Sequence, residues 1–265
     1  MKVIINYSSV SKKIERRIQK LSFLAFHPNL ITCRTNYLFI LSHMRSRSSL
    51  LSHILGSNPS ICGYSELHRH YFTRKDLLEM RIQLYKEFGW NIKNKYLLDK
   101  ILHNFHGISP KIFKIAKPKV IFLLRDPKST LESLVAMGYQ HNKEKYKDAN
   151  KALEYYRDRL SYLEKYAQQL EGDYYFIESD DLVENTDQVL ANLSTWLNLE
   201  QPLVKNYSIF KKTSKVGHGD FSNNLKSGTI LKAKRTDQES EIPDEVLEKG
   251  KYYYNKCKDN ILPTR

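Results

Sequence analysis

Arginine and serine side chains follow an apolar run near the start of the chain. After Tyr37–Leu41 comes Arg45–Ser49, which reads Arg-Ser-Arg-Ser-Ser and opens a helical pattern. Unpaired N–H groups at a helix start favour anions, and arginine adds a cationic fork of donors. This first turn (residues 43–49) therefore predicts a phosphate or sulfate site. The alternative is that Ser48 and Ser49 only cap the helix.

A second turn (residues 125–133) repeats the arrangement. Val120–Leu124 is apolar and is followed by Arg125, Asp126 and Pro127. Proline suits the first turn of a helix, and Ser129 and Ser133, four residues apart, share one helix face. The alternative is an arginine paired with an acid and serines facing solvent. The motif G-x-x-x-x-G-K-[ST] is absent from the sequence, which argues against a P-loop nucleotide hydrolase.

Strands and helices must position these turns. The two apolar runs are continuous, which is typical of strands covered on both faces, and Tyr174–Ile177 is a third strand candidate. Helical patterns lie between and after them, over Ser48–Gly56, Ser129–Gly138, 148–170 and Thr186–Leu197. This alternation predicts an α/β fold with a central parallel sheet flanked by helices, and ligands at the carboxyl ends of the strands.

Charge and composition narrow the classes of partner. The chain has 265 residues, with 43 Lys and Arg against 29 Asp and Glu, for a formal net charge of +14. Residues 1–50 hold nine bases and one acid, and residues 203–235 hold eight bases and one acid. A partner bearing phosphate or sulfate is indicated, with nucleic acid and anionic membrane as rivals.

The sequence also predicts a cytoplasmic location. Its three cysteines form no C-x-x-C pair, which is ordinary for a reduced cytosolic protein. No segment has the pattern of a transmembrane span or a signal peptide. No metal-ligand spacing is present, so no metal is expected.

The two turns together resemble the cofactor-binding signature of the sulfotransferase family, enzymes that use 3′-phosphoadenosine 5′-phosphosulfate (PAPS). The family's 5′-phosphosulfate loop reads basic-Ser-Gly-Thr/Ser-Thr/Ser-Leu-Leu, and Arg45–Leu51 is similar to it. The family's 3′-phosphate motif places an arginine at a strand end and a serine eight residues later, as Arg125 and Ser133 stand here. Both motifs occur in the family's order, which makes the likeness more specific than either motif alone.

The resemblance extends from about residue 37 to 235. Ser179–Leu182 looks like the family's Tyr-Glu-Asp-Leu strand end, and Lys215–Phe221 looks like its basic glycine loop. The family implies a P-loop-kinase-like fold in a single domain over residues 37–265, preceded by a basic arm or helix over residues 1–36. One departure is Arg47, which stands where the family has glycine and lacks glycine's freedom at positive φ.

The resemblance also implies a site. Arg45 would act in catalysis, and PAPS would be the donor, leaving 3′-phosphoadenosine 5′-phosphate (PAP). The acceptor would be a hydroxyl or amine on a small molecule, saccharide or lipid. The implied cofactor-binding residues are Arg45, Ser46, Arg47, Ser48, Ser49, Leu50, Arg125, Ser129, Ser133, Lys215, Gly219 and Lys226.

A base must accept the proton of the attacking group. Many bacterial and glycan-type members carry a glutamate just after the first turn, which makes Glu66 the first candidate and His68 the second. The animal cytosolic branch uses a Lys-x-His sequence, to which Lys100 and His103, with His106 beyond, come nearest at a different spacing. The alternative for Glu66 is a surface carboxylate paired with Arg69.

Two rival functions stay open. One is a basic module that binds nucleic acid or an anionic surface, although nucleic acid is not the expected partner. The bases at Lys12, Lys13, Arg16 and Arg17 form a basic amphipathic start that can contact RNA or lipid, or can be a solvated helix face, which is favoured. The other is an inactive sulfotransferase-like protein that binds PAP, suggested by Arg47.

Overall fold

The structure is a computed structural model that describes residues 7–170, 172–213, 223–231 and 242–262. It divides into two compact units, Met1–Arg34 and Thr35–Arg265. The described part of the first unit contains two helices, α1 (Tyr7–Phe26) and α2 (Asn29–Thr32). No helix in the described ranges is both long enough and apolar enough to cross a membrane.

Strands and helices alternate through most of the second unit. Its strands are β1 (Asn36–Ser42), β2 (Ile61–Cys62), β3 (Tyr96–Ile101), β4 (Lys119–Leu124) and β5 (Tyr175–Glu178). Its helices are α3 (Ser48–Gly56), α4 (Arg74–Phe88), α5 (Pro110–Ala116), α6 (Pro127–Gln140), α7 (Glu144–Lys147), α8 (Ala149–Leu170), α9 (Asp181–Glu184), α10 (Thr186–Trp196) and α11 (Asp244–Ile261). Short 3₁₀ helices cover Gly89–Ile92 and Asn223–Ser227.

The five described strands form one parallel sheet in the order β2-β3-β1-β4-β5. β1 lies at the centre, where Ile40 is level with Lys100 of β3 and Ser42 with Leu123 of β4. The carboxyl ends of the three middle strands therefore meet at one edge. This arrangement confirms the predicted α/β fold with a central parallel sheet flanked by helices.

Burial on both faces explains why the strands are continuously apolar. Leu38 and Ile40 belong to a buried cluster with apolar side chains of α3 and α10. The neighbouring side chain Phe39 lies with its ring 4.9 Å from that of Tyr71. Three further helices, α6, α8 and α11, pack against one another, and α8 also contacts β1. The sheet thus fixes the turns that follow β1 and β4.

Several elements differ from the sequence-based prediction. β2, β3, α4, α5 and α11 were not predicted, and α6 begins at Pro127 rather than Ser129. The earlier start has a local cause, because Asp126 caps this helix by accepting the Ser129 N–H at 2.9 Å. One charged residue of α8 lies in the core, since Arg159 is fully buried.

Candidate active site

The first turn joins β1 to α3 through two residues with left-handed backbone. Arg45 has φ 64° and Arg47 has φ 63°, a conformation that costs a residue with a side chain roughly 1–2 kcal/mol. The Arg47 guanidinium donates to the Ser179 carbonyl at 3.1 Å and forms an ion pair with Asp180. The turn therefore has a left-handed residue where the family has glycine, and contacts at the end of β5 hold the arginine.

Interior hydrogen bonds fix the shape of the first turn. The hydroxyls of Ser42 and Ser46 lie 2.6 Å apart, and Ser46 Oγ donates to the His43 carbonyl at 2.8 Å. The Met44 N–H donates to the Tyr155 hydroxyl at 2.9 Å. Because Ser46 is fully buried and bonded within the turn, its hydroxyl stabilises the turn and does not face solvent.

His43 connects the first turn to the second. Its Nδ1 lies 2.8 Å from the Met44 carbonyl, and its Nε2 accepts the Arg125 N–H at 3.2 Å. These partners select the neutral tautomer protonated at Nδ1. Burial lowers the pKa of His43 to about 3, which agrees with a neutral ring.

Side chains also join the two turns directly. Arg45 Nε donates to Ser133 Oγ at 2.7 Å, and Arg125 Nη1 donates to the Arg45 carbonyl at 2.9 Å. Ser133 lies on α6, so this helix reaches the first turn. The Ser129 N–H donates to Asp126, the N-cap of α6, and Ser129 lies one helical turn before Ser133. Arg45, Arg125 and Ser133 are therefore in direct contact and form one surface between the two turns.

This surface carries a cationic cluster of Arg45, Arg47 and Arg125. Burial, and next the charge of Arg47, lower the pKa of Arg125 to about 10. Arg125 Nε is buried and has no hydrogen-bond partner among the described residues. A buried donor without a protein acceptor, next to two further guanidinium groups, fits a multiply charged phosphate.

Glu66 lies beside the first turn and contacts a buried lysine. Lys100 Nζ is 3.6 Å from Glu66 Oε1 and donates to Ser49 Oγ at 2.8 Å. The Lys100 side chain is 0% exposed and that of Glu66 is 9% exposed. Arg69 lies against Glu79 instead, at 4.0 Å, so Glu66 is not a surface carboxylate paired with Arg69. The candidate base and the anion-binding turn are thus connected through Lys100.

Asp99 positions the segment that carries Glu66. Its carboxylate accepts the N–H groups of Leu67 at 2.9 Å and Lys100 at 2.8 Å, and the Tyr71 hydroxyl at 2.6 Å. Burial raises the pKa of Asp99 to about 6, although all three hydrogen bonds oppose the rise. Tyr71 is fully buried in this network, so it belongs to the core and does not line an acceptor cleft.

Histidine side chains also lie near Glu66. His68 Nδ1 lies 3.9 Å from Glu66 Oε2, and the rings of His68 and His106 have centroids 5.9 Å apart. Burial lowers the pKa of His103 and His106, which favours their neutral forms. The neutral imidazoles of His103 and His106 each offer a hydrogen-bond donor and an acceptor to a hydroxyl-bearing molecule.

Aromatic side chains border these histidines. Phe105 is 72% exposed and stacks on His103 with centroids 4.8 Å apart. Phe72 is 50% exposed and stacks on His70, also at 4.8 Å. Of the two aromatic residues that follow His70 in the sequence, Phe72 belongs to this border, whereas Tyr71 is buried.

The remaining predicted cofactor residues lie in different settings. Ser48 and Ser49 are buried in the first turn of α3, and the Leu50 side chain packs against the core. Lys226 is exposed on the second 3₁₀ helix. Lys215 and Gly219 lie outside the described residues.

Sequence reasoning missed Arg159 of α8. It donates to the carbonyls of Ser42 at 2.7 Å and Ile101 at 2.5 Å and to Asn104 Oδ1 at 3.0 Å. It therefore ties together the carboxyl ends of β1 and β3. The sequence pattern could have indicated that Arg159 is buried. It stands three residues after buried Tyr156, on the apolar face of the predicted helix.

No group of three or more His, Cys, Asp or Glu side chains in the described ranges is arranged to hold a metal ion. The expectation that the reaction needs no metal stays a prediction.

Comparison with known proteins agrees with this geometry. A family model described as a sulfotransferase domain matches residues 35–258. A search of curated proteins found no match.

Solved structures share the fold at low sequence identity. The sulfotransferase domain from the Curacin biosynthetic pathway aligns with a TM-score of 0.53 and 21% identity, over 84% of this chain and 98% of that chain. The corresponding domain of the Synechococcus PCC 7002 olefin synthase aligns with a TM-score of 0.56 and 16% identity, over 84% and 95%. Mouse sulfotransferase SULT7A1 complexed with PAP aligns with a TM-score of 0.53 and 14% identity, over 88% of each chain.

The family model covers most of the chain, and the neighbours have the same fold. The assignment made from the two turns is confirmed: the chain belongs to the sulfotransferase family.

Proposed function

We propose that this sulfotransferase transfers the sulfuryl group of PAPS to a hydroxyl or amine of a small-molecule, saccharide or lipid acceptor, in the cytoplasm. The observation that carries the donor assignment is the contact between the two turns, in which Arg45 reaches Ser133 and Arg125 reaches the Arg45 carbonyl. A ligand with phosphate groups at two positions can use both turns at once. A nucleotide with phosphate only at the 5′ position can use one of them.

The two turns divide the recognition of PAPS. Arg45, the hydroxyls of Ser48 and Ser49 and the start of α3 bind the 5′-phosphosulfate. Arg125 and Ser133, with Ser129 one helical turn before, bind the 3′-phosphate. The unpartnered Arg125 Nε supports this assignment, because a phosphate oxygen would give that donor an acceptor.

Catalysis in this proposal is positioning and charge stabilisation. As the acceptor oxygen bonds to sulfur, the bond from sulfur to the 5′-phosphate oxygen breaks and the acceptor proton passes to Glu66, with His68 as the second candidate. Lys100 stabilises negative charge on the departing phosphate, since it lies between Ser49 and Glu66.

Calorimetry with PAP tests the donor site. We expect micromolar binding by the unaltered chain and much weaker binding of AMP, which lacks the 3′-phosphate. Arg125→Ala should weaken PAP binding at least about tenfold, because a charge-assisted contact is lost. Arg157→Ala, at an exposed arginine of α8, is the matched control and should bind normally. The proposal is wrong if the unaltered chain does not bind PAP, or if it binds AMP as tightly as PAP.

Transfer from labelled PAPS to a panel of hydroxyl acceptors tests the base. Glu66→Gln should reduce transfer by about 100-fold or more while PAP affinity stays within about threefold. Glu79→Gln removes a neighbouring carboxylate and is the control. Normal transfer by Glu66→Gln would show that another group is the base. PAP binding without transfer to any acceptor would support an inactive PAP-binding protein instead.

A further inference from the structure

Helix α1 presents apolar side chains to solvent. Ile18, Leu21 and Phe26 are 58%, 67% and 82% exposed. Ile18, Leu21 and Ala25 are three and four residues apart, so they share one face of the helix. A solvated helix face would carry polar residues at these positions. An exposed apolar stripe such as Ile18, Leu21 and Ala25 form marks a surface that interacts with a partner or a membrane.

The same helix is strongly basic. Residues 7–26 contain the five bases Lys12, Lys13, Arg16, Arg17 and Lys20 and a single acid, Glu15. Arg17 is exposed and lies one residue before the apolar position Ile18. Helices that combine an exposed apolar stripe with many lysines and arginines are typical of the membrane–water interface.

We propose that α1 docks on the surface of a membrane that contains anionic lipids. The bases attract the lipid headgroups, and the Ile18, Leu21 and Phe26 side chains enter the boundary of the acyl chains. This inference does not depend on the proposed sulfuryl transfer, because it rests on Ile18, Leu21 and the bases of α1, none of which was assigned a role in that reaction.

Other partners fit the helix less well. Nucleic acid would use the bases, but single strands stack on aromatic rings and make little use of an isoleucine and leucine stripe. A second copy of the chain would bring two basic helices together, and like charges repel. An anionic bilayer satisfies both the charge and the apolar face.

Flotation of the full chain with vesicles tests the proposal. We expect binding to vesicles of phosphatidylcholine with phosphatidylserine, at least about tenfold weaker binding to pure phosphatidylcholine, and release by high salt. Ile18→Ser with Leu21→Ser should weaken binding about tenfold or more, since it removes buried methylenes at the interface. Arg17→Glu with Lys20→Glu should have a similar effect.

A matched control separates this helix from the general charge of the protein. Lys111→Glu with Lys114→Glu makes the same charge change at the same spacing on exposed positions of α5 and should bind vesicles normally. The proposal is wrong if the full chain does not bind phosphatidylserine vesicles, or if the serine variant binds as well as the unaltered chain. Equal losses from the α1 and α5 charge reversals would show non-specific attraction and also overturn it. RNA binding that the α1 variants abolish, without vesicle binding, would assign the helix to nucleic acid.

Discussion

At the scale of single residues, Arg47 stands where the sulfotransferase family has glycine, and its backbone has the positive φ that glycine adopts most easily. Its left-handed backbone costs roughly 1–2 kcal/mol, while its contacts with Ser179 and Asp180 act in the opposite direction. Arg47→Ala loses the contacts and keeps the strain, whereas Arg47→Gly loses the contacts and relieves the strain. We expect the glycine variant to be about 1 kcal/mol more stable than the alanine variant in urea unfolding. Equal stabilities of the two variants would mean that the left-handed backbone at position 47 does not destabilise the folded chain.

Glu66 and Lys100 show how far sequence reasoning reaches at a single residue. The family resemblance was enough to name Glu66 as the base candidate. The neighbourhood of Lys100 was not predictable, because Glu66, Lys100 and Ser49 lie far apart in the chain and meet only through the pairing of β3 with β1. Spacing along the chain reports contacts within one helix or turn, whereas this contact depends on the register of the sheet.

At the scale of elements, the strands that could be predicted were those with a clear local sequence pattern. β1 and β4 were predictable since their apolar runs are covered on both faces. β3 was missed because Asp99 and Lys100 interrupt its apolar run, although both are buried. Lys100 contacts Ser49 and Glu66, and Asp99 accepts the Leu67 N–H, so both polar residues make their contacts at the candidate site. The apolar pattern therefore fails in the strand that borders this site. β2 has two residues, too few for any periodic signal.

Helix α8 carries an element-scale prediction through Arg159. Arg159→Met leaves the Ser42 and Ile101 carbonyls without this donor, while removing the charge recovers part of its desolvation cost. We expect a net loss of about 2 kcal/mol in the free energy of unfolding, measured by urea denaturation. Arg157→Met, at an exposed arginine of the same helix, should change stability by less than about 0.5 kcal/mol. Similar effects of the two variants would show that Arg159 does not hold the strand ends together.

At the scale of the whole molecule, pH links the site to the stability of the fold. His43 is neutral in the folded chain, with a pKa of about 3, whereas in the unfolded chain it takes up a proton near its ordinary value of 6.5. Between these values the unfolded chain binds more protons, so stability falls as pH falls below 6.5. Asp99 acts in the opposite sense, because its raised pKa of about 6 makes the folded chain take up a proton as pH falls through 6.

The difference between the unaltered chain and a His43 variant isolates the histidine from Asp99. From pH 7.5 to pH 5, His43 should cost the folded chain about 2 kcal/mol, since the interval covers about 1.5 pH units below 6.5. Urea unfolding at both pH values should therefore show that His43→Gln, although less stable at pH 7.5, loses about 2 kcal/mol less than the unaltered chain. His141→Gln, at an exposed histidine, should keep the original pH dependence. If His43→Gln keeps it too, the buried imidazole between the two turns is not the group that makes this fold sensitive to acid.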